Sequence, residues 1–345
     1  MSVMERVGIR QAARRRRRPR VGFLGLGWIG YQRMTALKAA GLAEIAAVAD
    51  VDPSRAGQAA ADCPGAVRGA GLEDLLALDL DGLVIATPSA LHAPQAIAAL
   101  EAGLHVFCQK PLACTEEETA RAVAAARNSD RLLDVDLSYR HTAALQAARR
   151  LTAGGELGHV YAGDFVFHNA YGPDKPWFTQ RSLSGGGCVI DLGTHLIDMA
   201  MSLTGADTAE VTRSRLLRRG RPLSYGSTEV EDFAEIDLGL GDGIAVRIAC
   251  SWFLPAGREC IFGCTLYGSD GAVSISNVDG SFYDFRADHH RGTSSTALAL
   301  PPDDWGPRAI RQWAQRISAG AGFDPEVERL TGLARVIDDA YGRTP

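Results

Sequence analysis

Lys110 is the first candidate for a catalytic residue, because its type and its position suit a role beside a reacting carbon. It follows the apolar run Val106–Cys108 almost directly, so its ammonium group is expected at the carboxyl edge of a parallel sheet. There it could hold a hydroxyl oxygen and stabilise the negative charge that develops as a hydride leaves. A surface lysine with its stem along apolar residues is the alternative. The chain has only three lysines, Lys38, Lys110 and Lys175, and an amine, unlike a guanidinium, can lose its proton.

Asp191 and His195 form the second candidate for chemistry. They stand four residues apart in a predicted helix, Cys188–Leu203, so they should share one face. A carboxylate beside an imidazole can orient the ring and favour its cationic form, which suits a proton donor and acceptor. A structural hydrogen-bonded pair is the alternative. Gly185–Gly187 would allow close backbone approach before this helix, and Asp198, one turn further on, could be a surface charge.

A glycine-rich turn at Val21–Tyr31 predicts where a cofactor would bind. The Gly-x-Gly-x-x-Gly spacing follows a short apolar strand and opens a helix, as in dinucleotide-binding folds. The first glycine permits a sharp turn, the second lets backbone N–H groups approach a pyrophosphate, and the third lets the helix pack on the strand. An ordinary strand–turn–helix unit is the alternative. The residues expected to contact the dinucleotide here are Gly25, Gly27, Trp28, Ile29 and Gly30.

Two further strand ends extend this cofactor site. The apolar strand Glu44–Ala49 ends at Asp50, whose carboxylate could accept hydrogen bonds from the adenosine ribose and would repel a 2′-phosphate. This predicts NAD in preference to NADP. The strongest apolar strand ends in Thr87 and Pro88, where the backbone should lie near the cofactor. His92 opens the next helix and is expected to be structural or on the cofactor side, not catalytic.

The elements that must position these residues alternate regularly in the first part of the chain. Apolar strands that alternate with helices indicate a parallel sheet covered on both faces, with ligands at the carboxyl ends of the strands. Strands are predicted at Val21–Leu24, Glu44–Ala49, Gly82–Ala86, His105–Cys108 and Leu132–Leu137. Helices are predicted at Tyr31–Ala40, Pro53–Asp62, Leu72–Leu78, His92–Ala102 and Thr115–Asn128, the last opened by a capping box of Thr115 and Glu118. The fold class is therefore an α/β Rossmann domain over residues 21–140.

Residues 141–345 predict an α+β domain with a large, mostly antiparallel open sheet. Its strands alternate polar and apolar residues with a period of two. They are expected at His159–Phe167, Val211–Leu217, Asp232–Leu240, Ile244–Phe253 and Ile261–Tyr267. A helix is expected at Ala143–Leu151, Thr293–Asp303 is expected to be a loop, and closing helices are expected at Pro307–Ala319 and Pro325–Tyr341. These closing helices could pack back on the first domain.

Composition narrows the class of protein. The 345 residues are 46% hydrophobic and 22% charged, which is ordinary for a globular protein and sufficient for two domains. The net charge of −5 argues against nucleic acid as a partner, and no stretch is long and apolar enough to span a membrane. Seven cysteines without a Cys-x-x-Cys pair indicate reduced thiols in a cytoplasmic protein. Zinc at Cys260 and Cys264 is disfavoured because the residues between them predict a strand, so no metal is expected.

Two basic stretches are candidates for binding segments. Residues 1–20, with Arg14–Arg18, predict a disordered basic tail; an export signal is disfavoured because the apolar run that follows is the glycine-broken strand. The run Arg213–Arg221 could bind a phosphate, but a solvated strand and turn is the favoured interpretation.

From Val21 to about Tyr341 the chain resembles the glucose-fructose oxidoreductase / inositol dehydrogenase / rhizopine-catabolism (Gfo/Idh/MocA) family. The family's glycine fingerprint falls on Gly25, Gly27 and Gly30, and its ribose carboxylate on Asp50. Its Ala-Thr-Pro-x-x-x-His motif falls on Ala86–His92. Its Glu-Lys-Pro motif falls on Gln109-Lys110-Pro111, and its Asp-x-Gly-x-His motif on Asp191–His195. The resemblance implies that Lys110, Asp191 and His195 are catalytic. Gln109 and Lys110 are also expected beside the cofactor. Gln109 departs from the usual glutamate, so Lys110 loses a neighbouring negative charge.

The resemblance implies reversible hydride transfer between NAD(H) and a secondary alcohol or ketone of a sugar, sugar derivative or cyclitol. His195 would take the hydroxyl proton, Lys110 would hold the oxygen, and Asp191 would orient His195 or bind a vicinal hydroxyl. Two alternatives remain open, a non-catalytic NAD-binding regulatory protein and an NAD-dependent glycoside-cleaving enzyme. The family's open sheet implies a dimer or tetramer. The residues expected to line the substrate pocket are Tyr139, Arg140, Trp177 and Arg181.

Overall fold

A computed structural model describes residues 18–224 and 226–343 of the chain. The chain divides into two compact units that interleave along the sequence. Unit 1 comprises the chain up to Leu112, then Ala120–Asp136 and Pro307–Glu328; unit 2 comprises Ala113–Thr119, Leu137–Gly306 and the chain from Arg329. The basic tail predicted for residues 1–20 lies, up to residue 17, outside the described residues. The sequence predicts a single domain boundary, after residue 140, whereas each of these units is made of several chain segments. The predicted boundary stays a prediction.

Fifteen strands are formed by the described residues. They are β1 (Arg20–Leu24), β2 (Glu44–Ala49), β3 (Val67–Gly69), β4 (Gly82–Ile85), β5 (His105–Cys108), β6 (Leu133–Val135), β7 (Val160–Asn169), β8 (Ala209–Arg218), β9 (Arg221–Pro222), β10 (Phe233–Leu240), β11 (Ile244–Ser251), β12 (Cys260–Gly268), β13 (Ala272–Asn277), β14 (Phe285–Arg291) and β15 (Ser294–Ala299).

Ten α-helices accompany these strands in the described part of the chain. They are α1 (Trp28–Ala40), α2 (Pro53–Asp62), α3 (Leu72–Leu76), α4 (His92–Glu101), α5 (Glu116–Ser129), α6 (Ala143–Ala153), α7 (Arg181–Ser184), α8 (Thr194–Thr204), α9 (Arg308–Ser318) and α10 (Arg329–Ala340). One turn of π-helix, Val189–Gly193, leads directly into α8. No helix in the described residues is long and apolar enough to cross a bilayer.

Unit 1 is built on a six-stranded parallel sheet in the order β3-β2-β1-β4-β5-β6. This is the doubly wound order, in which ligands bind at the carboxyl ends of the strands. The central strands are buried along their length except at the first residues of β1 and β5, Arg20 and His105, because helices cover both faces of a parallel sheet. The predicted Rossmann domain is confirmed.

Helix α9 contributes to the core of unit 1 although it lies far along the chain. Its buried residues Ile310, Trp313 and Ile317 recur at helical spacing and join the cluster formed by β1, β2 and α1. The Trp313 ring lies 5.8 Å from the ring of Phe107 on β5. The hydrophobic core of unit 1 is therefore completed by a helix that lies roughly two hundred residues after β5 in the sequence.

Unit 2 is built on a nine-stranded sheet in the order β15-β14-β13-β12-β7-β11-β10-β8-β9. All its pairings are antiparallel except that between β7 and β11, so the predicted mostly antiparallel open sheet is confirmed. Strands β10 and β12 alternate buried and partly exposed residues. Helices α6, α8 and α10 contact one or more of its strands.

Several predicted elements need correction. The loop predicted at Thr293–Asp303 is wrong, because β15 occupies Ser294–Ala299 and pairs with β14. The single helix predicted at Cys188–Leu203 begins instead as a π-turn. The capping box is shifted, because Thr115 accepts from the Glu118 backbone N–H whereas the Glu118 carboxylate accepts from Cys114.

Candidate active site

The glycine turn in unit 1 has the geometry that close packing of strand and helix demands. Gly25 has φ +90°, and a Cβ there would lie 2.5 Å from the Ala86 carbonyl oxygen. A Cβ on Gly30 would lie 2.1 Å from the Gly25 carbonyl oxygen. The Gly25 N–H donates to the Ala49 carbonyl at 2.9 Å. Neither Gly25 nor Gly30 can therefore carry a side chain without moving the backbone.

The start of α1 suits an anionic group. Gly27 is the N-cap residue and supplies no side-chain hydrogen bond to the first turn. The first backbone N–H groups of a helix need acceptors and carry partial positive charge. Trp28 is 61% exposed and Ile29 is partly exposed. This turn fits a dinucleotide pyrophosphate.

Asp50 is fixed beside the same turn by two backbone groups. Its Oδ2 accepts from the Leu26 N–H at 2.6 Å and its Oδ1 from the Asp52 N–H at 2.8 Å. Each carboxylate oxygen can accept more than one hydrogen bond, so these contacts orient the group and leave it able to accept from a ribose hydroxyl.

His92 connects the segments that follow β4 and β5. The ring is 1% exposed, and its Nδ1 and Nε2 each lie 2.7 Å from a carbonyl oxygen, of Pro111 and Thr87 respectively. Burial lowers the pKa of His92, while the two carbonyl contacts oppose that shift. Thr87 donates its hydroxyl to Gln95 at 2.6 Å, and Pro88 is partly exposed. His92 therefore holds together two of the segments predicted to contact the cofactor.

Gln109 belongs to a buried polar cluster that also includes Asp136 and Arg33. The Gln109 amide donates to Asp136 Oδ2, which also accepts from Arg33 Nε at 2.6 Å. All three residues are less than 9% exposed. Arg33 lies on α1, Asp136 follows β6 and Gln109 follows β5, so the cluster joins the cofactor helix to the strand that precedes Lys110. Lys110 itself is partly exposed.

Asp191 and His195 lie in unit 2 on either side of the change from π- to α-helix. Asp191 is within the π-turn, is partly exposed, and accepts from Trp252 Nε1 at 3.1 Å. His195 is the second residue of α8 and is 6% exposed. Single π-turns occur frequently at functional sites. Trp252, at the end of β11, thus fixes the predicted acid.

Tyr139 packs against His195. The ring centroids lie 4.7 Å apart at 74°, and burial raises the pKa of the Tyr139 hydroxyl. Phe262 and Trp305 stack on Tyr139 with centroids at 5.2 Å. The Tyr139 ring is therefore stacked with two aromatic rings and makes a T-shaped contact with the predicted catalytic histidine.

Arg140 forms a bidentate ion pair with Asp198. Arg140 Nε lies 2.9 Å and 2.8 Å from the two carboxylate oxygens, and Asp198 is 3% exposed. The suggestion that Asp198 is a surface charge is wrong, because a buried carboxylate on α8 is neutralised by the guanidinium. The pair fixes α8 to the segment Ser138–His141.

Trp177 and Arg181 lie in the segment between β7 and the glycine run. Trp177 stacks on Phe178 with centroids 3.9 Å apart, and Phe178 meets Trp252 edge-on at 6.4 Å. The Arg181 guanidinium lies 5.0 Å above the Tyr341 ring. A row of aromatic rings thus leads from Trp177 to the tryptophan that holds Asp191.

Two arginines of the basic run form ion pairs, and the cysteines are thiols. Arg213 and Arg218 are paired with Asp237 and Asp232 across neighbouring strands, as the favoured interpretation of a strand requires. All seven cysteines lie in the described residues as free thiols. No group of three His, Cys, Asp or Glu side chains suited to a metal ion occurs in residues 18–224 and 226–343.

Sequence reasoning missed Asp136, Arg33 and Trp252. Their partners lie 27 to 103 residues away in the chain, so no local spacing links them. The only signal was position: Asp136 directly follows β6, at the edge where parallel strands place functional residues.

Comparison with known proteins identifies both halves of the chain. A family model described as "Oxidoreductase family, NAD-binding Rossmann fold" matches residues 19–137. A second, described as "GFO/IDH/MocA C-terminal domain", matches residues 145–274.

A relative and two solved structures are similar over most of the chain. A putative UDP-kanosamine synthase oxidoreductase subunit of Amycolatopsis mediterranei is 31% identical over 76% of this chain and 73% of that protein. Alignments with two further sugar oxidoreductases, at 36% and 37% identity, span only 40% of those proteins. Levoglucosan dehydrogenase in complex with NADH and levoglucosan has a TM-score of 0.80 at 23% identity, covering 94% of this chain and 97% of that one. A 3-ketoreductase from Actinomadura kijaniata in complex with NADP and TDP-benzene also has a TM-score of 0.80 at 23% identity, covering 93% and 97%. The two structures establish the shared fold.

Proposed function

Because the chain belongs to the Gfo/Idh/MocA family of oxidoreductases, we propose that it transfers a hydride between a nicotinamide dinucleotide and a secondary alcohol or ketone of a sugar, sugar derivative or cyclitol. The observation that supports this best is the buried imidazole of His195, one turn after Asp191 and packed edge-on against Tyr139. An imidazole fixed in this way is suited to move one proton repeatedly. The chemistry of the relatives, which are named for sugars and sugar nucleotides, agrees with this substrate class.

The cofactor would be held by the glycine turn, Asp50 and the segments joined by His92. When bound, its nicotinamide ring supplies or accepts the hydride. We propose NAD in preference to NADP because the oriented Asp50 carboxylate would accept from ribose hydroxyls and repel a 2′-phosphate. Solved relatives of the same fold contain NADH in one case and NADP in another, so this preference needs its own measurement.

Three side chains would divide the work on the substrate. His195 accepts the hydroxyl proton in the oxidising direction and returns it in the reducing direction. Lys110 donates to the substrate oxygen and stabilises its alkoxide-like charge. Asp191, held by Trp252, orients His195 or accepts a hydrogen bond from a neighbouring hydroxyl.

The substrate walls in this proposal are Tyr139, Arg140, Trp177 and Arg181. Trp177 is suited to the apolar face of a ring sugar, and Arg181 to an anionic group. Tyr139 and Arg140 would support the pocket indirectly, since the Tyr139 ring packs on His195 and the Arg140 guanidinium neutralises Asp198. We also propose that the enzyme is cytoplasmic and self-associates as a dimer or tetramer through the open sheet of unit 2.

Steady-state kinetics on Lys110→Ala and His195→Ala tests the function, with a panel of sugars and cyclitols and both dinucleotides. Each substitution should lower kcat by about 10²- to 10⁴-fold while dinucleotide affinity, measured by fluorescence, changes little. Wild-type kcat/KM should be higher with NAD than with NADP.

Near-wild-type turnover in both variants would contradict the catalytic assignment. Product release without net accumulation of NADH would favour glycoside cleavage instead, and dinucleotide binding without turnover on any substrate would favour a regulatory protein.

A further inference from the structure

Glu231 is a buried carboxylate with no part in the chemistry proposed above. It lies in unit 2, just before β10, and is 0% exposed. Burying a carboxylate is costly unless hydrogen bonds replace those it makes with water. Its contacts therefore indicate what it is for.

One oxygen of Glu231 holds the start of the helix that carries Asp191 and His195. Oε1 accepts from the N–H groups of Gly187 and Val189, both at 2.9 Å, and from the Tyr341 hydroxyl at 2.7 Å. The Glu231 carbonyl oxygen also accepts from the Cys188 N–H at 3.1 Å. A single residue thus binds three consecutive backbone N–H groups, at Gly187, Cys188 and Val189.

These N–H groups stand at the beginning of the π-turn Val189–Gly193. The helix would otherwise leave them without acceptors, because no side chain from its own N-cap residue provides one. A carboxylate in this place acts as a cap supplied from another part of the chain and is favoured by the positive end of the helix. The Asp191 N–H donates to the Gly187 carbonyl at 3.1 Å, so the residue held by Glu231 in turn holds the backbone of Asp191.

The glycine run before this helix is explained by the same cluster. A Cβ on Gly187 would lie 1.9 Å from the Glu231 carbonyl oxygen, and a Cβ on Gly186 would lie 2.0 Å from the Tyr341 hydroxyl oxygen. Any larger residue would push the helix start away from its acceptor. The glycines were expected to allow close backbone approach, and the atoms they approach are those of Glu231 and Tyr341.

The cluster has an uneven electrostatic balance. Burial raises the pKa of Glu231, and the hydrogen bonds from Tyr341, Val189 and Gly187 oppose that rise. Glu231 Oε2 has no hydrogen-bond partner among the described residues. The guanidinium groups of Arg343 and Arg181 lie 4.3 Å and 5.0 Å above the Tyr341 ring. Among the side-chain atoms of Glu231, Oε1 alone accepts hydrogen bonds from the described residues, and a glutamine would also present an oxygen there.

We propose that Glu231, supported by Tyr341, is a positioning residue that fixes the π-turn and thereby sets the place of Asp191 and His195. This inference rests on the proposed function in so far as those two residues are catalytic. Loss of the Oε1 acceptor would release the helix start and displace the His195 ring, whereas loss of charge alone would not.

Kinetics of three variants tests the proposal. Glu231→Ala should lower kcat by about 100-fold, the effect of a misplacement near 1 Å, with KM for the dinucleotide within about twofold of wild type. Glu231→Gln keeps the acceptor oxygen and should retain most of kcat. Asp288→Asn is the matched control, since Asp288 is a buried carboxylate on β14 of the same sheet whose oxygens accept from Arg286; its kcat should stay near wild type. Equal kcat in Glu231→Ala and wild type, or equal losses in Glu231→Ala and Glu231→Gln, would overturn the proposal.

A second measurement does not depend on activity. The NMR resonances of the His195 ring, assigned by their absence in His195→Asn, should shift in Glu231→Ala and in Tyr341→Phe but not in Asp288→Asn. If Glu231→Ala does not fold, Tyr341→Phe decides: unshifted His195 resonances in that variant would overturn the proposal. If His195→Ala turns over at the wild-type rate, the proposed function fails, while the resonance shifts still establish or refute the positioning by Glu231.

Discussion

At the scale of single residues, Gln109 distinguishes this chain from the usual pattern of its family. The expected consequence was a missing negative charge beside Lys110. The structure adds a reason for the amide: Gln109 donates to Asp136, which is already paired with Arg33. A glutamate at this position would bring a second carboxylate to the same buried oxygen. The departure therefore belongs to a set of three residues and is not an isolated change.

We expect Gln109→Glu to destabilise the protein although it restores the family's usual residue. Two buried carboxylates would share one arginine, and the donor to Asp136 would be lost, which should lower the free energy of unfolding by about 2–4 kcal/mol at neutral pH. The introduced carboxyl would hold its proton more tightly in the folded than in the unfolded state. The folded state then binds more protons, so the deficit should shrink as pH falls and grow as pH rises. Urea unfolding at several pH values measures both effects.

The double variant Gln109→Glu, Asp136→Asn provides the control. It exchanges donor and acceptor and should recover much of the lost stability, because one carboxylate and one amide again face Arg33. Wild-type stability of the single variant at alkaline pH would contradict the account of this cluster.

At the scale of elements, prediction succeeded where a pattern is local. Strands β2 and β5 and helix α2 have the predicted bounds, since apolar runs and a proline at the first helical position are visible in the sequence. Strands β13 to β15 were missed: β13 has only two apolar residues at buried positions, the polar Asp288 is buried in β14, and β15 is mostly exposed. The motif residues proposed for the site were selected by their spacing in the sequence, and their roles stay predictions. Glu231, Asp136 and Trp252 were not selected, because their partners are distant in sequence and only the folded chain brings them together.

Helix α9 is the element whose place in unit 1 has the clearest energetic consequence. Trp313 is 0% exposed in the core, so Trp313→Ala should lower the free energy of unfolding by about 3–5 kcal/mol. A Cβ on Gly82 of β4 would lie 2.8 Å from the Trp313 ring, so Gly82→Ala should also destabilise by about 1–3 kcal/mol through overpacking. In the Trp313→Ala background the same Gly82→Ala change should cost much less, because the cavity accepts the added methyl group.

Chemical denaturation of the four proteins in this cycle measures the coupling between strand and helix. Trp28→Ala, at a 61% exposed position, is the control for loss of a tryptophan and should change stability little. Strict additivity of Gly82→Ala and Trp313→Ala would show that α9 does not pack against β4 as described.

At the scale of the whole molecule, the open sheet of unit 2 carries the proposed self-association. On β7, Phe165 and Phe167 are buried on the covered side, whereas Val166 between them is only partly buried on the other. Val166 pairs with Ala249 on β11 and Gly263 on β12, so small and apolar residues surround it. Next to them, cross-strand ion pairs such as Arg247 with Asp164 give this face a fixed pattern of charge. A face of this kind can bind a second copy by apolar contact at its centre and charge pairing around it.

Val166→Glu should therefore convert the assembly to monomers without unfolding the chain. If this face is covered by a second copy, an unpaired carboxylate at its centre would be buried at a cost of several kcal/mol. In the separated monomer the same side chain would lie in water, where its charge is hydrated at little cost. Light scattering after size-exclusion chromatography should give a wild-type mass two or four times that of the chain and a variant mass equal to one chain. The variant should still unfold in a cooperative thermal transition, at a lower temperature than the wild type because association stabilises the folded state. Ser295→Arg, at an exposed position on the edge strand β15, adds a charge far from the centre and should leave the assembly intact. A monomeric wild type, or a Val166→Glu variant that keeps the wild-type mass, would show that the open face is not where the copies meet.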